Sequence, residues 1–236
     1  YARGSVVAQA PPPFGVPRVR QASDVWGDGA ERLFVAAGFD RLLELHRGAA
    51  AQRHNAMRTV THLDGRGVGM QVTLVAVGGD EFGRYERGRW SVTTLPGPDY
   101  AVDVSLAADG TAYAPTARRG LHIVPTQGPV RTVPYPGDFD GKRVLATTSG
   151  RVFVSGDSRV LELTNGAFVT APFLVANPLP ADLHYHALWQ SPTTQHLWIG
   201  CDRGVLLEVD LVSNALRQHT TPLFGEIRAI IRAPWA

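Results

Sequence analysis

The stretch His196–Asp210, HLWIGCDRGVLLEVD, decides the fold. Its first apolar run, Leu197–Gly200, leads into the short polar turn Cys201–Gly204, and a second apolar run follows at Val205–Val209. Two apolar segments separated by a tight turn are typical of a β-hairpin. We therefore predict two antiparallel strands in this stretch.

Earlier parts of the chain repeat this hairpin. The clear copies are Leu33–His46 (LFVAAGFDRLLELH) and Val152–Leu163 (VFVSGDSRVLEL), and weaker copies lie at Val72–Glu86 and Thr111–Val124. The copies begin about 40 residues apart, which is a period found in repeat proteins. Because one hairpin cannot bury both of its faces, the repetition predicts stacked sheets that share a core.

A second marker keeps the same period. The turn after the third strand of each copy carries a small residue that tolerates positive φ: Gly48, Gly88, Gly128, Gly166 and, in the last copy, Asn214. Glycine and asparagine are the residues preferred in tight hairpin turns. Two independent markers with one period indicate a true structural repeat.

Each repeat is interpreted as four strands. In the last copy we expect them at His184–Gln190, Leu197–Gly200, Val205–Val209 and Leu216–Thr221. The matching first strands of the earlier copies are expected at Val19–Val25, Arg58–His62, Ala101–Leu106 and Arg143–Thr147. With no amphipathic helix in the pattern, the sequence predicts an all-β fold, a β-propeller of four-stranded antiparallel blades with about five visible repeats. A β-sandwich is the alternative, but it does not require regular spacing.

The two ends of the chain differ from the repeats. Residues 1–18 are rich in proline and are interpreted as a linker or an edge strand, ahead of a propeller domain at residues 19–236. We expect further domains of the same polypeptide upstream. The stretch Glu226–Arg232 (EIRAIIR) is predicted to be the first strand of a sixth unit, so the number of blades and the closure of the ring stay open.

Composition excludes several classes of function. The 236 residues are 44% hydrophobic, enough for a substantial core, and the net charge of +2 argues against binding to nucleic acid or to an anionic membrane surface. The single cysteine, Cys201, excludes an intrachain disulfide. No apolar run reaches the roughly 18 residues that a membrane span needs, so we expect no membrane-spanning segment in this sequence. A cytoplasmic and an extracytoplasmic location both fit.

The repeat resembles a known family of bacterial propellers. Leu197–Gly200 (LWIG), followed by Gly204–Val205 and then Asp210, is similar to the LWxGTxxGLxxxD repeat of the two-component-regulator type of β-propeller. Asp24–Gly27 (DVWG) with Leu33–Val35 (LFV) follows a similar sequence pattern, and the resemblance is close in two or three of the five copies. The resemblance implies a non-catalytic sensing or binding propeller that forms one domain of a larger bacterial protein.

The connections between repeats carry the irregular sequence, and variable loops on a regular scaffold often bind partners. In a propeller these connections emerge on the same face as the turns between second and third strands. We therefore predict a partner-binding surface on this loop-rich face, formed by Tyr100, Arg118, Arg119, Tyr135, Asp138, Phe139, Asp140, Tyr185 and Phe224. Aromatic side chains with a few charges suit a protein or peptide partner, or alternatively a glycan. The competing interpretation is that each aromatic side chain packs into its own blade.

Charged residues recur in the hairpin turns, as Asp40–Arg41, Asp157 with Arg159, and Asp202–Arg203. They could present a ring of charge to a ligand, or each Asp could cap its own turn while the Arg pairs locally. Recurrence in three units favours the structural role.

Two histidines, His184 and His186, lie on the same side of a predicted strand and are the only weak candidates for metal ligands. Two ligands are too few, so we predict no metal and no other cofactor. The sequence also lacks the GxSxG, HExxH, P-loop and CxxC motifs, so no catalytic residue is named.

The predicted function is a non-catalytic recognition module that binds a partner through its loop-rich face. The alternatives are a propeller enzyme, a glycosidase or lyase with carboxylates at the central channel, and a lectin-like glycan binder. Two or more carboxylates clustered with a histidine at the channel would favour the enzyme.

Overall fold

The computed structural model describes residues 22–29, 31–39, 42–46, 52–156, 158–191, 193–221, 225–228 and 230. Within them the chain forms five antiparallel sheets of four strands each, numbered here 1 to 5 along the chain. The strands of sheets 1 and 2 and of a small ribbon are β1 (Asp24–Gly27), β2 (Arg32–Ala36), β3 (Gly38–Phe39), β4 (Leu42–His46), β5 (Gln52–His54), β6 (Thr59–Val60), β7 (His62–Arg66), β8 (Thr73–Gly78), β9 (Glu81–Glu86) and β10 (Arg89–Thr94).

The remaining three sheets follow without interruption. Their strands are β11 (Ser105–Leu106), β12 (Ala112–Pro115), β13 (Gly120–Val124), β14 (Arg131–Pro134), β15 (Gly141–Ala146), β16 (Val152–Gly156), β17 (Val160–Thr164), β18 (Ala167–Thr170), β19 (Tyr185–Gln190), β20 (His196–Cys201), β21 (Val205–Asp210) and β22 (Leu216–Thr220).

Every sheet is a simple meander. Sheet 1 has the order β1-β2-β4-β5, and in sheets 2 to 5 each strand pairs with the next one along the chain. This is the strand order of propeller blades, so the predicted all-β propeller of four-stranded blades is confirmed. The strands expected for the last copy agree with β19 to β22 to within two residues at each end.

First strands were predicted less accurately. Within the described residues sheet 1 begins at Asp24, and residues 1–21, which include the expected linker and the expected strand start at Val19, lie outside the described part of the chain. The strand expected at Arg58–His62 is wrong, because β6 leaves the sheet to pair with β3 and sheet 2 begins at His62. The strand expected to begin at Ala101 is reduced to β11.

The turns after the third strands have the expected backbone conformation. Gly88, Gly128, Gly166 and Asn214 have φ of 80°, 98°, 80° and 58°. These values lie in the left-handed region, which glycine and asparagine enter at low cost. The repeat marker is therefore confirmed at these four positions, while Gly48 lies outside the described residues.

Helical structure in the described residues is slight. A 3-10 turn covers Gly69–Gln71, and one short helix, α1 (Pro172–Ala176), lies in the connection between sheets 4 and 5. Proline opens this helix and Phe173 is fully buried, so the helix covers the adjoining core. No helix in the described part of the chain is long and apolar enough to cross a lipid bilayer.

The chain divides into two compact units, one reaching to Leu106 and the other beginning at Ala107. In the N-terminal unit, Phe34 of sheet 1 packs with Leu74 and Tyr85 of sheet 2. In the C-terminal unit, one apolar cluster joins sheets 3 and 4 and another joins sheets 4 and 5. Side chains that alternate along each strand thus fill the spaces between neighbouring sheets.

The chain leaves three of these sheets by the same route. Ala101 N donates to Gly79 O at 3.3 Å, Gly141 N donates to Ala117 O at 2.8 Å, and Ile227 N donates to Cys201 O at 2.8 Å. In each case the segment that follows a sheet passes the end of its second strand. The predicted first strand of a sixth unit is described only at residues 226–228 and 230, and no strand is assigned to them. Ile227 nevertheless passes the end of the second strand of sheet 5, as the corresponding segments do after sheets 2 and 3.

Candidate functional site

Most aromatic residues of the predicted partner surface are buried. Tyr135, Phe139 and Tyr185 are exposed by only 8%, 3% and 2%, whereas Tyr100 is 65% exposed. The Tyr135 ring lies 4.9 Å from the ring of Phe139. Tyr135 and Phe139 pack in the apolar cluster between sheets 3 and 4, and Tyr185 packs in the cluster between sheets 4 and 5, so these three rings are part of the core. Phe224 lies outside the described residues.

The charged members of that surface are more accessible. Arg118, Arg119 and Asp138 are exposed, and Asp140 is half-buried. Tyr100 belongs to the N-terminal unit and the charged residues belong to the C-terminal unit, so the structure describes them as two separate groups.

Two ion pairs connect the loops on this side of sheets 4 and 5. Arg159 donates to Asp138 at 2.9 Å, and Arg203 donates to Asp182 at 2.5 Å. Each pair joins the turn between the second and third strands to the connection that precedes the same sheet. These turn arginines therefore pair locally, and Asp40, Arg41 and Asp157 lie outside the described residues.

The two histidines that were weak metal candidates lie near each other at the start of sheet 5, His184 just before β19 and His186 within it. The ring centroids of His184 and His186 are 6.4 Å apart, and His184 Nδ1 lies 4.0 Å from Asp202 Oδ2. Burial lowers the pKa of His186, and within the described ranges its buried Nε2 atom has no hydrogen-bond partner. No group of three or more His, Cys, Asp or Glu side chains in the described ranges has the geometry of a metal site.

A cluster with clearer chemical character lies at the first strands of the N-terminal unit. His62, the first residue of β7, places its Nδ1 atom 3.6 Å from Asp24 Oδ2 and 3.5 Å from Asp103 Oδ1. Asp24 comes from β1, and Asp103 lies just before β11. Three successive repeats therefore contribute one side chain each to what we call the Asp–His–Asp cluster: Asp24, His62 and Asp103.

The backbone explains why these side chains converge. Asp24 Oδ2 accepts a hydrogen bond from Leu63 N at 3.0 Å, which fixes β1 against β7. The His62 Nδ1 atom is buried and has no hydrogen-bond partner among the residues that the structure describes. The side chains of His62, Asp24 and Asp103 are 16%, 20% and 11% exposed, so part of the cluster is accessible to solvent.

Asp64 adds a fourth titratable group. It lies two residues after His62 on β7, so both side chains emerge from the same face of the strand. Loss of hydration raises the pKa of Asp64 to about 6, even though Leu106 N and Gly65 N donate to its carboxylate, and the neighbouring Asp103 also raises it. A carboxyl group that titrates near neutral pH can hold or release a proton.

Sequence reasoning missed the Asp–His–Asp cluster. The missed signal was the equivalence of neighbouring first strands: Ser23 N donates to Ala36 O, and Thr61 N donates to Val77 O, each at 2.8 Å. The residues that follow Ser23 and Thr61 are Asp24 and His62. Aligning the first strands of the repeats would have placed Asp24 and His62, two titratable residues, at the same position of neighbouring repeats.

A second polar network has a structural character. Glu44, buried between sheets 1 and 2, accepts hydrogen bonds from Arg32 Nε at 2.9 Å and is 2.8 Å from His54 Nε2. Burial by itself would raise the pKa of Glu44, but hydrogen bonds with His54, Arg32 and His46 lower it to about 2. Arg32 also donates to Tyr85 Oη of sheet 2 at 3.0 Å. The network therefore holds one sheet against the next.

The same network recurs, which supports a role in folding. In sheets 1, 4 and 5 a glutamate of the third strand lies opposite an aromatic residue of the second strand; these pairs are Phe34 with Glu44, Phe153 with Glu162, and Trp198 with Glu208. A basic residue two positions before each aromatic bonds to the glutamate; these residues are Arg32, Arg151 and His196. We call each set an aromatic–glutamate row.

Comparison with known proteins supports the fold. No family model matches the sequence, and no curated protein matches it. A solved virginiamycin B lyase from Staphylococcus aureus, crystallised with quinupristin, is similar with a TM-score of 0.68 at 10% identity, covering 85% of this chain and 70% of the lyase. YCF48 bound to D1 peptide gives a TM-score of 0.63 at 10% identity, covering 84% and 66%.

A sensor domain is also similar. The extracellular domain of the hybrid two component system BT3049 from B. thetaiotaomicron gives a TM-score of 0.66 at 14% identity, covering 98% of this chain and 33% of that domain. The chain thus spans about a third of its length. At identities this low, the likeness establishes the β-propeller fold and leaves the activity to be argued from the site.

Proposed function

We propose that this chain is a recognition domain that binds a cationic group of a protein or peptide partner at the Asp–His–Asp cluster. The observation that carries the proposal is the convergence of Asp24, His62 and Asp103 from three successive repeats, with two carboxylates within 3.6 Å of one imidazole nitrogen. YCF48, a propeller similar to this chain, is bound to a peptide, which supports a peptide ligand.

The chemistry of the cluster favours an ammonium group. A lysine ammonium has three N–H donors and can approach the carboxylates of Asp24 and Asp103, whose side chains are 20% and 11% exposed, while the His62 Nδ1 atom stays buried. Because the site is partly removed from water, each charge-assisted hydrogen bond is stronger there than at an open surface. Tyr100 of the N-terminal unit stays proposed as an additional partner contact, and Arg118, Arg119 and Asp138 of the C-terminal unit stay proposed as a separate contact surface.

The test compares two peptide arrays that differ only in the presence of one ammonium group. The first array carries a central lysine, and the second carries norleucine, which has the same chain length without the ammonium. We expect the protein to retain a subset of lysine peptides and to lose their norleucine counterparts. Asp103→Asn should weaken binding about tenfold or more, whereas Asp109→Asn, at an exposed turn, should not change it.

Two outcomes would overturn the proposal. One is equal retention of lysine and norleucine peptides. The other is unchanged affinity in Asp103→Asn when circular dichroism and the melting temperature show that the variant is folded. Raising the ionic strength should also weaken the lysine-dependent binding, because the site keeps an exposed side.

A second candidate is an acid–base enzyme. The observation that favours it is the position of His62 among Asp24, Asp103 and Asp64, the last of which has a pKa raised to about 6. Such a set can remove a proton and return one, as a lyase requires. Because a virginiamycin B lyase is similar in fold, incubation with quinupristin followed by mass spectrometry tests this candidate. Modified quinupristin with the wild type and none with His62→Ala would favour the enzyme over simple recognition.

A further inference from the structure

One carboxylate of the Asp–His–Asp cluster also joins two neighbouring first strands. Asp24 Oδ2 of β1 accepts a hydrogen bond from the backbone N of Leu63 on β7 at 3.0 Å. The same oxygen lies 3.6 Å from the Nδ1 atom of His62, the residue before Leu63. A single carboxylate oxygen therefore faces both a backbone N–H and a side chain of the next first strand.

Asp64 repeats this contact between β7 and β11. Its Oδ2 atom accepts hydrogen bonds from Leu106 N at 2.6 Å and from the Oγ of the preceding residue, Ser105, at 3.2 Å. Arg66, also on β7, donates from Nε to Leu106 O at 2.8 Å. Leu106 is thus bound at both its N–H and its C=O group. Asp64 and Arg66 hold β11 against β7, as Asp24 holds β7 against β1.

This clamp on β11 limits where the third member of the cluster can lie. Asp103 precedes Ser105 by two residues, which span at most about 7 Å of chain. With Ser105 bonded to Asp64, the Asp103 side chain stays within reach of β7, and its Oδ1 atom lies 3.5 Å from His62 Nδ1. His62 and Asp64 are two residues apart on β7, so their side chains emerge from the same face of the strand. Asp64 therefore lies beside the cluster and fixes one of its members.

We infer that Asp64 is a positioning residue of the cation site: it holds Asp103 beside His62, and in its ionised form it strengthens the attraction of the two site carboxylates for a cation. This inference rests on the proposed function, because it concerns the same site. The two effects are separable. The hydrogen bonds of Asp64 fix the geometry, whereas its negative charge adds to the electrostatic field of the cluster.

The charge of Asp64 changes near neutral pH. Loss of hydration raises its pKa to about 6, and the neighbouring Asp103 acts in the same direction. A bound cation favours the ionised carboxylate and so lowers that pKa. Binding near this pH therefore releases a proton from Asp64, and the affinity for a cation increases as the pH rises through this range.

Other charged or titratable groups share the surroundings of Asp64. Within the described residues of the N-terminal unit, those on the same face of β7, on β9, on β1 and before β11 are His62, Arg66, Arg84, Asp24 and Asp103. The two arginines keep their charge over the whole pH range of a binding assay. The other three groups are the same in the wild type and in Asp64→Asn, so the difference between these two proteins isolates Asp64.

Isothermal titration calorimetry tests this inference with a lysine peptide that the protein retains and whose norleucine counterpart it does not. Titrations at pH 6 in two buffers of different ionisation enthalpy count the protons released on binding. The wild type should release about 0.3 proton more than Asp64→Asn. Between pH 5 and 7.5 the affinity of the wild type should increase about fivefold more than that of Asp64→Asn, because only the wild type gains a charge at this position.

Asp64→Ala tests the positioning role. This variant loses the hydrogen bonds to Ser105 and Leu106 together with the charge, whereas the amide oxygen of Asp64→Asn can still accept from Leu106 N. At pH 7.5, Asp64→Ala should therefore bind the peptide at least about threefold more weakly than Asp64→Asn. Circular dichroism checks folding, and the proton count in Asp64→Asn decides the outcome if Asp64→Ala is unfolded.

The matched control is Asp109→Asn, which removes an exposed carboxyl group from the turn after β11 and should release as many protons as the wild type. Equal proton release by the wild type and Asp64→Asn overturns the inference, while lysine-dependent binding leaves the proposed function standing. Equal affinities of folded Asp64→Ala and Asp64→Asn at pH 7.5 overturn the positioning role. A wild type that does not distinguish lysine from norleucine overturns the proposed function and this inference together.

Discussion

Asp64 Oδ2 accepts a hydrogen bond from the backbone N of Leu106 at 2.6 Å, which ties β7 to the first strand of the next repeat. Ser105 Oγ donates to the same oxygen at 3.2 Å. Even so, the pKa of Asp64 is raised to about 6 because the carboxylate has lost most of its hydration. One residue therefore connects two sheets and carries a charge that the fold disfavours.

Asp64→Asn should change how stability depends on pH. The pKa of Asp64 is higher in the folded protein than the ordinary value of 3.8, so between about pH 4 and 6 the native state binds more protons than the unfolded state. Stability contributed by this group is present below pH 4 and is lost as pH rises through 6. The unfolding free energy of Asp64→Asn relative to wild type should therefore rise across this range, by at most about 3 kcal/mol.

Urea unfolding at several pH values, followed by tryptophan fluorescence, measures this difference. Asp109→Asn provides the control, because Asp109 is exposed in the turn between β11 and β12. A difference between Asp64→Asn and wild type that stays constant from pH 4 to 7 would show that Asp64 does not titrate abnormally.

Glu44→Gln should strongly destabilise the protein. The Glu44 side chain is 1% exposed and is bonded to Arg32 and His54, so the neutral amide leaves the Arg32 guanidinium without its counter-charge in a buried site. Loss of one partner of a buried ion pair costs about 3 kcal/mol or more. Glu86→Gln, in a half-exposed pair with Arg84, should cost less than about 1 kcal/mol.

The pH profile gives a second readout for Glu44. Its pKa of about 2 in the folded protein is below the ordinary value of 4.5, so its contribution is present above pH 4.5 and is lost as pH falls toward 2. The wild type should lose stability over this acid range more steeply than Glu44→Gln. Parallel profiles would contradict the assignment of a buried, ionised Glu44.

Substitutions among the loop aromatics should separate core residues from surface residues. Phe139→Ala should destabilise the protein by about 3 kcal/mol, because its buried ring packs against Tyr135. Tyr100→Ala should change stability by less than about 0.5 kcal/mol, because Tyr100 is mostly exposed. Thermal unfolding measured by circular dichroism distinguishes the two. A stable, folded Phe139→Ala would restore Phe139 as a candidate for partner contact.

Tyr135→Phe tests the hydroxyl group of the second residue in this aromatic pair. The Tyr135 hydroxyl is buried and has no hydrogen-bond partner in the described part of the chain, and burial raises its pKa. Removing an unsatisfied buried hydroxyl should leave stability unchanged or raise it by about 1 kcal/mol. A loss of more than that in the same thermal unfolding assay would reveal a hydrogen bond to this hydroxyl in solution.

The hairpins could be predicted because their signals are local. The pattern of His196–Asp210 and the glycines after the third strands each depend on a few neighbouring residues. First strands were harder, since β6 pairs outside its sheet and β11 has only two residues. Neither feature leaves an alternating pattern long enough to recognise.

The candidate site could not be read from the sequence for a different reason. The contacts of His62 with Asp24 and Asp103 join residues about 40 positions apart, and they depend on the direction in which each first strand turns its side chains. Burial of Tyr135 and Phe139 also depends on packing, because an aromatic residue in a loop has the same sequence signature whether it is exposed or buried.

Gly128→Ala should test the backbone requirement of the repeat marker. Gly128 has φ of 98°, and a Cβ atom added there would meet no atom within 4 Å, so any destabilisation arises from the backbone alone. We expect a loss of about 1–2 kcal/mol for alanine and a smaller loss for asparagine, which the last repeat uses at Asn214. Gly225→Ala is the control, because its Cβ also meets no atom of the described residues within 4 Å and its φ lies outside the left-handed region. Equal stability of Gly128→Ala and Gly225→Ala in urea unfolding would mean that the period of these glycines reflects composition and is not required by the turns.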